Sequence, residues 1–331
     1  MNISALIVLF LFVPPVSAES SLKSFDKPYP KFGSIIKADP ALDEIISSDA
    51  KIERLATGFI WAEGLVYVLE GQYVLFSDPK KGDAYRWKEG EGVSVFLKQS
   101  GGIAPNPDFK EPGSNGLFLD RNGHLLLCQH GLRRVARYVA GKFETVADNI
   151  DGKKFNSPND LTVHKNGSIY FTDPPYGLRG GGRSKLREVR FTGVYRVKPD
   201  RKVEIISTRL APNGIGLSPD QKILYVTHGR SIVKFDLDEA GRAAGTHKPF
   251  FNFNAAGLNG GPDGMTIDDK GNVFAGFLGG GVVVISSEGK YLGMIKTGVR
   301  TSNCAFGDDG HTLFITANDS LVRVRVKTKG L

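Results

Sequence analysis

Short segments of alternating apolar and polar residues, separated by polar turns, recur six times along the 331-residue chain. Each copy opens with Asn, Asp or Glu, usually followed by Gly, and turns at Asp, Asn and Gly before a second segment rich in Leu, Ile, Val, Tyr and Phe. The six opening residues lie 40 to 54 positions apart: Glu63, Asn115, Asn159, Asn213, Asp263 and Asn303. Alternation of this kind predicts β-strands, and its repetition at this period predicts the blades of a β-propeller.

Further strands can be placed after each copy, for example at residues 193–197 and 203–208 in the third. The last copy has a third strand at 321–326 and no fourth, whereas residues 51–57 form a strand-like segment with no blade of its own. Pairing these two segments would hide both open sheet edges. We therefore predict an all-β, six-bladed β-propeller with four antiparallel strands per blade, closed by an N-terminal strand that completes the last blade.

The predicted organisation is a signal peptide at 1–18, an N-terminal extension at 19–50 and a single propeller domain at 51–331. The apolar core of the first segment, residues 6–13, is shorter than the roughly 20 residues that span a bilayer. Val16 and Ala18 are small residues at the positions required for cleavage by signal peptidase. We expect a protein exported to the periplasm or secreted, and the alternative is an uncleaved membrane anchor.

Composition and the absence of several motifs exclude some classes of function. Lys and Arg number 43 against 35 Asp and Glu, a surplus of +8 spread too thinly to indicate a nucleic-acid partner. The two cysteines, Cys128 and Cys304, exclude a disulfide scaffold and are expected to be buried free thiols. The sequence has no serine-esterase elbow, zinc-protease helix motif or dinucleotide fingerprint. No further membrane span and no oligomer are implied.

The propeller geometry gathers the six opening residues around the central channel at one mouth, because strand direction alternates within each blade. For Asn115 and Asn303, a turn role and a functional role, such as contact with a substrate, both stay open. Glu63 and Asp263 are the only acids of the ring, and two carboxylates converging on one axis repel each other without a cation. We predict one divalent metal ion, most simply calcium because it binds oxygen ligands, while zinc, manganese and magnesium remain alternatives. The predicted ligands are Glu63, Asn159, Asn213 and Asp263.

The ends of the second strands supply further candidates on the same face. His130 and His228 are interpreted as substrate hydrogen-bond partners or proton shuttles, with a structural turn-capping role as the alternative. Tyr176 is interpreted as an aromatic wall for a ring-shaped substrate, or as outer packing. Asp78 and Asp173 each precede Pro and are expected to bond local backbone amides.

Residues 178–192 form a long segment beside this site, with Gly180, Gly181 and Gly182 in a row and five basic residues against one acid. We expect a mobile lid that attracts anionic or acid-forming substrates. A solvated surface loop is the alternative.

Five motifs carry a family resemblance: WAEG at 61–64, NSPND at 156–160, FTDPPYG at 171–177, PNGIGLSPD at 212–220 and PDGM at 262–265. In this order and spacing the chain resembles the gluconolactonase and senescence-marker-protein (regucalcin) family from about residue 51 to 326. The resemblance implies a six-bladed propeller with one catalytic divalent metal that hydrolyses sugar lactones and related esters. It also implies the same four ligands, with a catalytic role for Asp263. Leu65 stands where the family usually has Pro, and segment 178–192 is an insertion.

The sequence thus predicts a calcium-dependent hydrolase that opens sugar lactones. The metal would polarise the carbonyl, and Asp263 would orient or deprotonate water or attack directly. A promiscuous arylesterase or organophosphate hydrolase on the same metal site is the nearest alternative. The others are a non-enzymatic, exported propeller that binds a ligand, and a propeller with purely structural calcium.

Overall fold

The computed structural model describes residues 22–331, which form six antiparallel blades around a central channel. The prediction of a six-bladed, all-β propeller is confirmed. The predicted signal peptide at 1–18 lies outside the described residues.

Each of the first five blades runs from an innermost to an outermost strand in chain order. Blade 1 consists of Glu63–Val68, Tyr73–Asp78, Asp83–Lys88 and Gly92–Leu97. Blade 2 consists of Ser114–Leu119, Leu125–Gln129, Arg134–Val139 and Lys142–Ala147. Blade 3 consists of Leu161–Val163, Ile169–Asp173, Gly193–Val197 and Val203–Ser207. Blade 4 consists of Pro212–Leu217, Ile223–His228, Ser231–Asp236 and Lys248–Asn252. Blade 5 consists of Pro262–Ile267, Val273–Phe277, Gly281–Ile285 and Tyr291–Lys296.

Blade 6 combines the two ends of the propeller. Its three inner strands are Thr301–Gly307, Thr312–Ala317 and Ser320–Arg325. Ile52–Thr57 pairs antiparallel with Ser320–Arg325, as the unpaired segments of the sequence predict. The innermost strand of blade 6 also packs against those of blades 5 and 1, so the inner strands form a continuous ring.

The segment ahead of the closing strand packs on the outside of blades 5 and 6. Lys23–Ser24 pairs with the closing strand, and Ser34–Lys37 extends blade 5 along Tyr291–Lys296. A short 3-10 helix, Pro40–Glu44, follows, and the Asp39 side chain caps it. Leu42, Ile45 and Ile46 then enter the hydrophobic core between the two blades. Residues 22–50 are therefore packed as part of the propeller.

Few elements outside the blades are regular. A two-stranded ribbon is formed by Asn149–Ile150 and Lys153–Lys154, and a 3-10 turn by Gly181–Arg183. Among the described residues no helix is long and apolar enough to cross a membrane.

The core of residues 22–331 is divided into six hydrophobic clusters, and each lies mainly between two neighbouring blades. This arrangement follows from the alternation of the strands, which gives every blade one apolar face for each neighbour. Cys128 lies in the cluster between blades 2 and 3, and Cys304 lies in that between blades 5 and 6. Both are buried free thiols, as predicted.

The turns between the first and second strands of the blades contain the Asp, Asn and Gly residues noted in the sequence repeat. In blade 2 the Asp120 carboxylate accepts hydrogen bonds from Asn122 N and His124 N, and Gly123 adopts a φ of 76°. Asp268 makes the equivalent bonds in blade 5. The side chain thus fixes the turn, and glycine supplies the left-handed conformation that other residues avoid.

Candidate active site

The six opening residues lie where the innermost strands begin, at one mouth of the channel. Five of them fall inside a strand, where the pairing with the second strand shifts register. Asn159 lies just before Leu161–Val163 and donates its backbone N–H to Thr172 O at 2.8 Å. Asn115 and Asn303 are therefore strand residues at a local irregularity, and a turn role does not describe them.

The glycine after most opening residues is explained by the closeness of neighbouring blades. An added Cβ would collide with the next opening residue in four blades: 2.4 Å from Asn115 O at Gly64, 2.7 Å from Asn159 O at Gly116, 2.3 Å from Asp263 O at Gly214 and 2.1 Å from Asn303 Cγ at Gly264. Only glycine permits this approach, which is to the neighbouring backbone at Gly64, Gly116 and Gly214 and to the Asn303 side chain at Gly264.

A cavity of about 340 Å³ opens at this mouth, a volume suited to a small organic ligand. Seven of the predicted site residues line it: Glu63, Asn115, Asn159, Tyr176, Asn213, His228 and Asp263. His130 is not among them. Asn303 lines a separate cavity farther along the channel.

The Glu63 carboxylate accepts hydrogen bonds from two donors. Trp61 Nε1 donates to Glu63 Oε1 at 3.1 Å, and Gly64 N donates to Oε2 at 3.0 Å. Burial, followed by the charge of Asp263, raises the pKa of Glu63 well above its usual value. The carboxylate is thus oriented but lacks a neighbouring positive charge strong enough to offset its burial.

Asp263 lies in the same environment. Burial, then the charges of Asp160 and Glu111, raises its pKa to about 8, against which a hydrogen bond from Asn213 and the charge of Arg300 act. The Asn213 contact joins two of the predicted ligands directly. Asp263 is only 5% exposed, so water does little to stabilise its charge.

This donor set fits a hard divalent cation. Two carboxylates and two carboxamide oxygens match the all-oxygen coordination that calcium prefers. A cation would also offset the cost of ionising two buried acids near each other. Within residues 22–331 no group of three or more His, Cys, Asp or Glu side chains is arranged to hold a metal, and the candidate set differs because half its members are asparagines.

Hydroxyl side chains near the ends of second strands connect the ring between blades. Thr172 Oγ1 of blade 3 donates to Asn213 O at 2.6 Å. Thr227 Oγ1 of blade 4 donates to Asp263 O at 2.9 Å and accepts from Gly214 N at 2.6 Å. Two of the predicted ligands are therefore anchored by the preceding blade. The corresponding signal in the sequence is a Ser or Thr one residue before the end of several second strands, which the repeat pattern alone does not mark as functional.

Asp78 and Asp173 bond backbone amides, as predicted. The Asp78 carboxylate accepts from Ile60 N at 2.7 Å and from Trp61 N at 3.2 Å, just ahead of the opening residue of blade 1. Asp173 accepts from Asn156 N at 2.8 Å in the corresponding place in blade 3. Burial raises the pKa of Asp173 to about 7. Both carboxylates position the segments that lead into the ring.

The two candidate histidines occupy different environments. His228 lines the cavity, and its Nδ1 accepts a hydrogen bond from Ala211 N at 2.9 Å. A neutral ring then carries its proton on Nε2. His130 is fully buried, and its Nδ1 lies 3.8 Å from Glu111 Oε2. Direct contact with a substrate in the cavity is therefore open to His228 but not to His130.

Tyr176 is 39% exposed and lines the cavity beside Asp263, whose charge helps to raise the phenol pKa after the larger effect of burial. The insertion at 178–192 that follows does not line the cavity. Two of its basic side chains contact neighbouring loops: Lys185 pairs with Asp108 at 2.9 Å, and Arg187 Nε donates to Asn156 Oδ1 at 2.8 Å.

Charged residues that the sequence did not single out complete the cavity. They are Lys80, Lys110, Glu111 and Arg300. The Lys80 Nζ and the Arg300 guanidinium lie 4.7 and 4.9 Å from the Trp61 ring centroid. These residues come from loops between strands, whose sequences follow no periodic pattern. The positive rim thus arises from these loops, and the insertion does not supply it.

Comparison with known proteins identifies the family to which the chain is similar. Residues 61–319 match the SMP-30/Gluconolactonase/LRE-like region. The chain is 41% identical over 315 residues to a gluconolactonase from Zymomonas mobilis, covering 90% of this chain and 87% of that protein. A solved gluconolactonase from Xanthomonas campestris superposes with a TM-score of 0.77 at 28% identity, covering 90% of this chain and 97% of that chain. The protein therefore belongs to the SMP-30/gluconolactonase/LRE-like family.

Proposed function

We propose that this protein is a metal-dependent hydrolase that opens sugar lactones. The observation that carries the proposal is the placement of two buried acids, Glu63 and Asp263, in one cavity with Asn159 and Asn213. The gluconolactonase activity named for its relatives supports a lactone as the substrate. The cavity volume, about 340 Å³, accommodates a molecule of that size.

Glu63, Asn159, Asn213 and Asp263 would hold one divalent cation. Calcium suits the oxygen donors best, with zinc, manganese and magnesium as alternatives. When bound, such an ion supplies Lewis-acid polarisation of the lactone carbonyl. Trp61 and Gly64 fix the Glu63 carboxylate, and Thr227 fixes the backbone of Asp263, so the chain itself preorganises the ligand set.

The remaining cavity residues bind and orient the substrate. Asp263 accepts the proton of the attacking water, or attacks the carbonyl carbon itself. Asn115, Tyr176 and His228 provide polar and aromatic contacts for a hydroxylated ring. Lys80 and Arg300 make the rim positive, which favours the approach of electron-rich substrates and the formation of a carboxylate product.

A lactone panel on metal-stripped protein, with each divalent ion added back, tests the proposal. Restored opening of glucono-δ-lactone by one ion supports it. Faster hydrolysis of phenyl acetate or a phosphotriester would favour the arylesterase or organophosphate hydrolase. Absence of all hydrolysis in metal-bound, folded protein would favour a binding module or a purely structural ion.

Export is a separate part of the proposal. It depends on the predicted signal peptide at 1–18, and it implies a mature chain that begins near Glu19. N-terminal sequencing of the protein recovered from periplasmic and extracellular fractions tests it. A chain that retains residue 1 in the membrane fraction would indicate an anchor instead.

A further inference from the structure

Glu111 is a third acid in the candidate active site that the proposed mechanism leaves without a role. It precedes blade 2, is 6% exposed and lines the same cavity as Glu63 and Asp263. Its charge contributes to the raised pKa of both of those acids. Glu111 therefore lies within electrostatic reach of both acids, although it does not belong to the ring of opening residues.

The backbone of Glu111 is fixed by the segment that carries Tyr176. Lys110 N and Glu111 N both donate to Gly177 O, at 2.9 and 3.1 Å. Phe109 and Leu178 form a β-bridge alongside. The Glu111 side chain is thus presented from a braced wall of the cavity and not from a free loop.

His130 lies directly behind this wall. The ring is fully buried, neither nitrogen makes a hydrogen bond of normal geometry within residues 22–331, and Nδ1 is 3.8 Å from Glu111 Oε2. A Cβ at Gly177 would lie 2.5 Å from His130 Cγ, so the His130 ring packs closely against the Gly177 backbone. Burial lowers the pKa of His130 to about 4, which leaves the imidazole neutral near pH 7. The polar groups nearest the ring are the backbone and the carboxyl of Glu111, so this buried imidazole is explained if it positions Glu111.

Lactone opening requires a second proton transfer besides the one from water. The ring oxygen leaves as a strongly basic alkoxide unless it is protonated while the bond breaks. We propose that Glu111 is the general acid that protonates this oxygen, with His130 as its positioning residue. This inference rests on the proposed lactonase function.

The two proton transfers, followed by exchange with solvent, return both acids to their starting states after each turnover. The water oxygen bonds to the carbonyl carbon as its proton passes to Asp263. The ring C–O bond then breaks with its electron pair on the ring oxygen, which takes the proton of Glu111. Asp263 afterwards releases a proton to solvent and Glu111 takes one up, so the net reaction consumes one water and yields the hydroxy acid.

The surroundings of Glu111 favour a carboxyl that retains its proton. Burial raises its pKa and the charge of Asp78 adds to this, while the ammonium groups of Lys110 and Lys80 oppose it. Neutral His130 contributes no positive charge. The cavity acids Glu63 and Asp263, whose pKa values the charge of Glu111 helps to raise, complete the charged and titratable groups around it.

The test compares two lactones that differ in the leaving oxygen. Glucono-δ-lactone releases an alkoxide, whereas dihydrocoumarin releases a phenolate, whose conjugate acid has a pKa of about 10 and needs no acid. In metal-loaded protein, Glu111→Gln should lower kcat about 100-fold for the first and only a few-fold for the second. Asp108→Asn, a charge change on the same wall outside the cavity, is the matched control and should alter neither.

Equal losses of kcat on the two lactones, with an unchanged Tm, would overturn the role of Glu111. The pH profile gives a second readout. Wild-type kcat for glucono-δ-lactone should fall at high pH as Glu111 ionises, which gives the pH profile a high-pH limb. The Glu111→Gln variant should lose this limb. If the limb persists in the variant, the general acid is another group. This readout decides the question if dihydrocoumarin is not a substrate. A wild-type protein that opens neither lactone refutes the proposed function itself.

His130→Asn and His130→Phe test the positioning role. Both should lower kcat selectively for glucono-δ-lactone and shift its high-pH limb, with the smaller loss in the Asn variant, which retains a polar group. A change in Tm with equal effects on the two lactones would assign His130 to packing alone.

Discussion

At the residue scale, the orientation of Glu63 depends on a neighbour in the same motif. Trp61 lies two residues earlier and donates its indole N–H to Glu63 Oε1. The WAEG motif therefore brings a ligand and the group that orients it together in four residues. The following Gly64 contributes the second hydrogen bond and the space for blade 2.

Replacing Trp61 with Phe should weaken metal binding by about 10- to 100-fold, because an oriented ligand loses its hydrogen-bond partner. Isothermal titration of stripped protein with calcium measures this. Trp87→Phe is the control, since Trp87 is also buried but its Nε1 makes no hydrogen bond to any residue from 22 to 331. Equal affinities of the two variants would contradict the role of Trp61.

Replacing Asp263 with Asn should abolish turnover while the propeller remains folded, because the isosteric amide removes both a charged ligand and the proton acceptor. Steady-state hydrolysis of glucono-δ-lactone and a thermal melt measure the two effects. The exposed Asp151, whose φ of 51° suits Asn, provides the control substitution Asp151→Asn. Full activity in Asp263→Asn would remove this residue from the mechanism.

The two candidate histidines show which property of a single residue the sequence repeat does not predict. His130 and His228 occupy the same place in the repeat, yet one is buried behind the wall and the other lines the cavity. Repeat position gives the face of the propeller but not the depth of a side chain. That depth depends on the loop that covers it, and here residues 109–111 and 177 enclose His130.

At the scale of elements, the second strands do more than fill the blades. Hydroxyls near the ends of two of them bind backbone groups of the next innermost strand, so the positions of Asn213 and Asp263 depend on the blade before each. The repeat pattern places these strands well; for example, the segment expected at 203–208 is found as Val203–Ser207. It does not reveal the contacts between blades, because they join residues that are far apart in the sequence.

Replacing Thr227 with Val should lower the free energy of unfolding by about 1–3 kcal/mol, because Asp263 O and Gly214 N each lose a partner in a buried site. Metal affinity should fall as well, since Asp263 loses its anchor. Denaturant unfolding and calcium titration measure these effects. Thr208→Val, at an exposed position, is the control. Loss of stability without loss of affinity would limit the hydroxyl to a structural role.

At the scale of the whole molecule, two acids that are 200 residues apart in the sequence meet at the axis and share a buried cavity. The folded, metal-free protein raises the pKa of Asp263 from 3.8 to about 8. Between these two values the native state retains a proton that the unfolded chain releases. Stability contributed by that proton is therefore lost as the pH rises through this range.

The Tm of metal-stripped protein should consequently fall between about pH 4 and pH 8, and the increase in Tm caused by calcium should grow over the same range because metal binding displaces the proton. Thermal melts with and without calcium measure both trends. Asp263→Asn should flatten them. An unchanged calcium effect from pH 5 to pH 8 would argue against Asp263 as a ligand.

The blade count, the strand order and the closing strand can be predicted from the sequence, because these follow from alternation and repeat position, which are local properties. It also identified the seven predicted residues that line the cavity, since repeat symmetry places equivalent positions at one mouth. Only the folded protein reveals the burial of His130, the attachment of segment 178–192, and the addition of Glu111, Lys80, Lys110 and Arg300 to the cavity. Those features depend on irregular loops, whose course is set by contacts between blades and leaves no periodic trace in the chain.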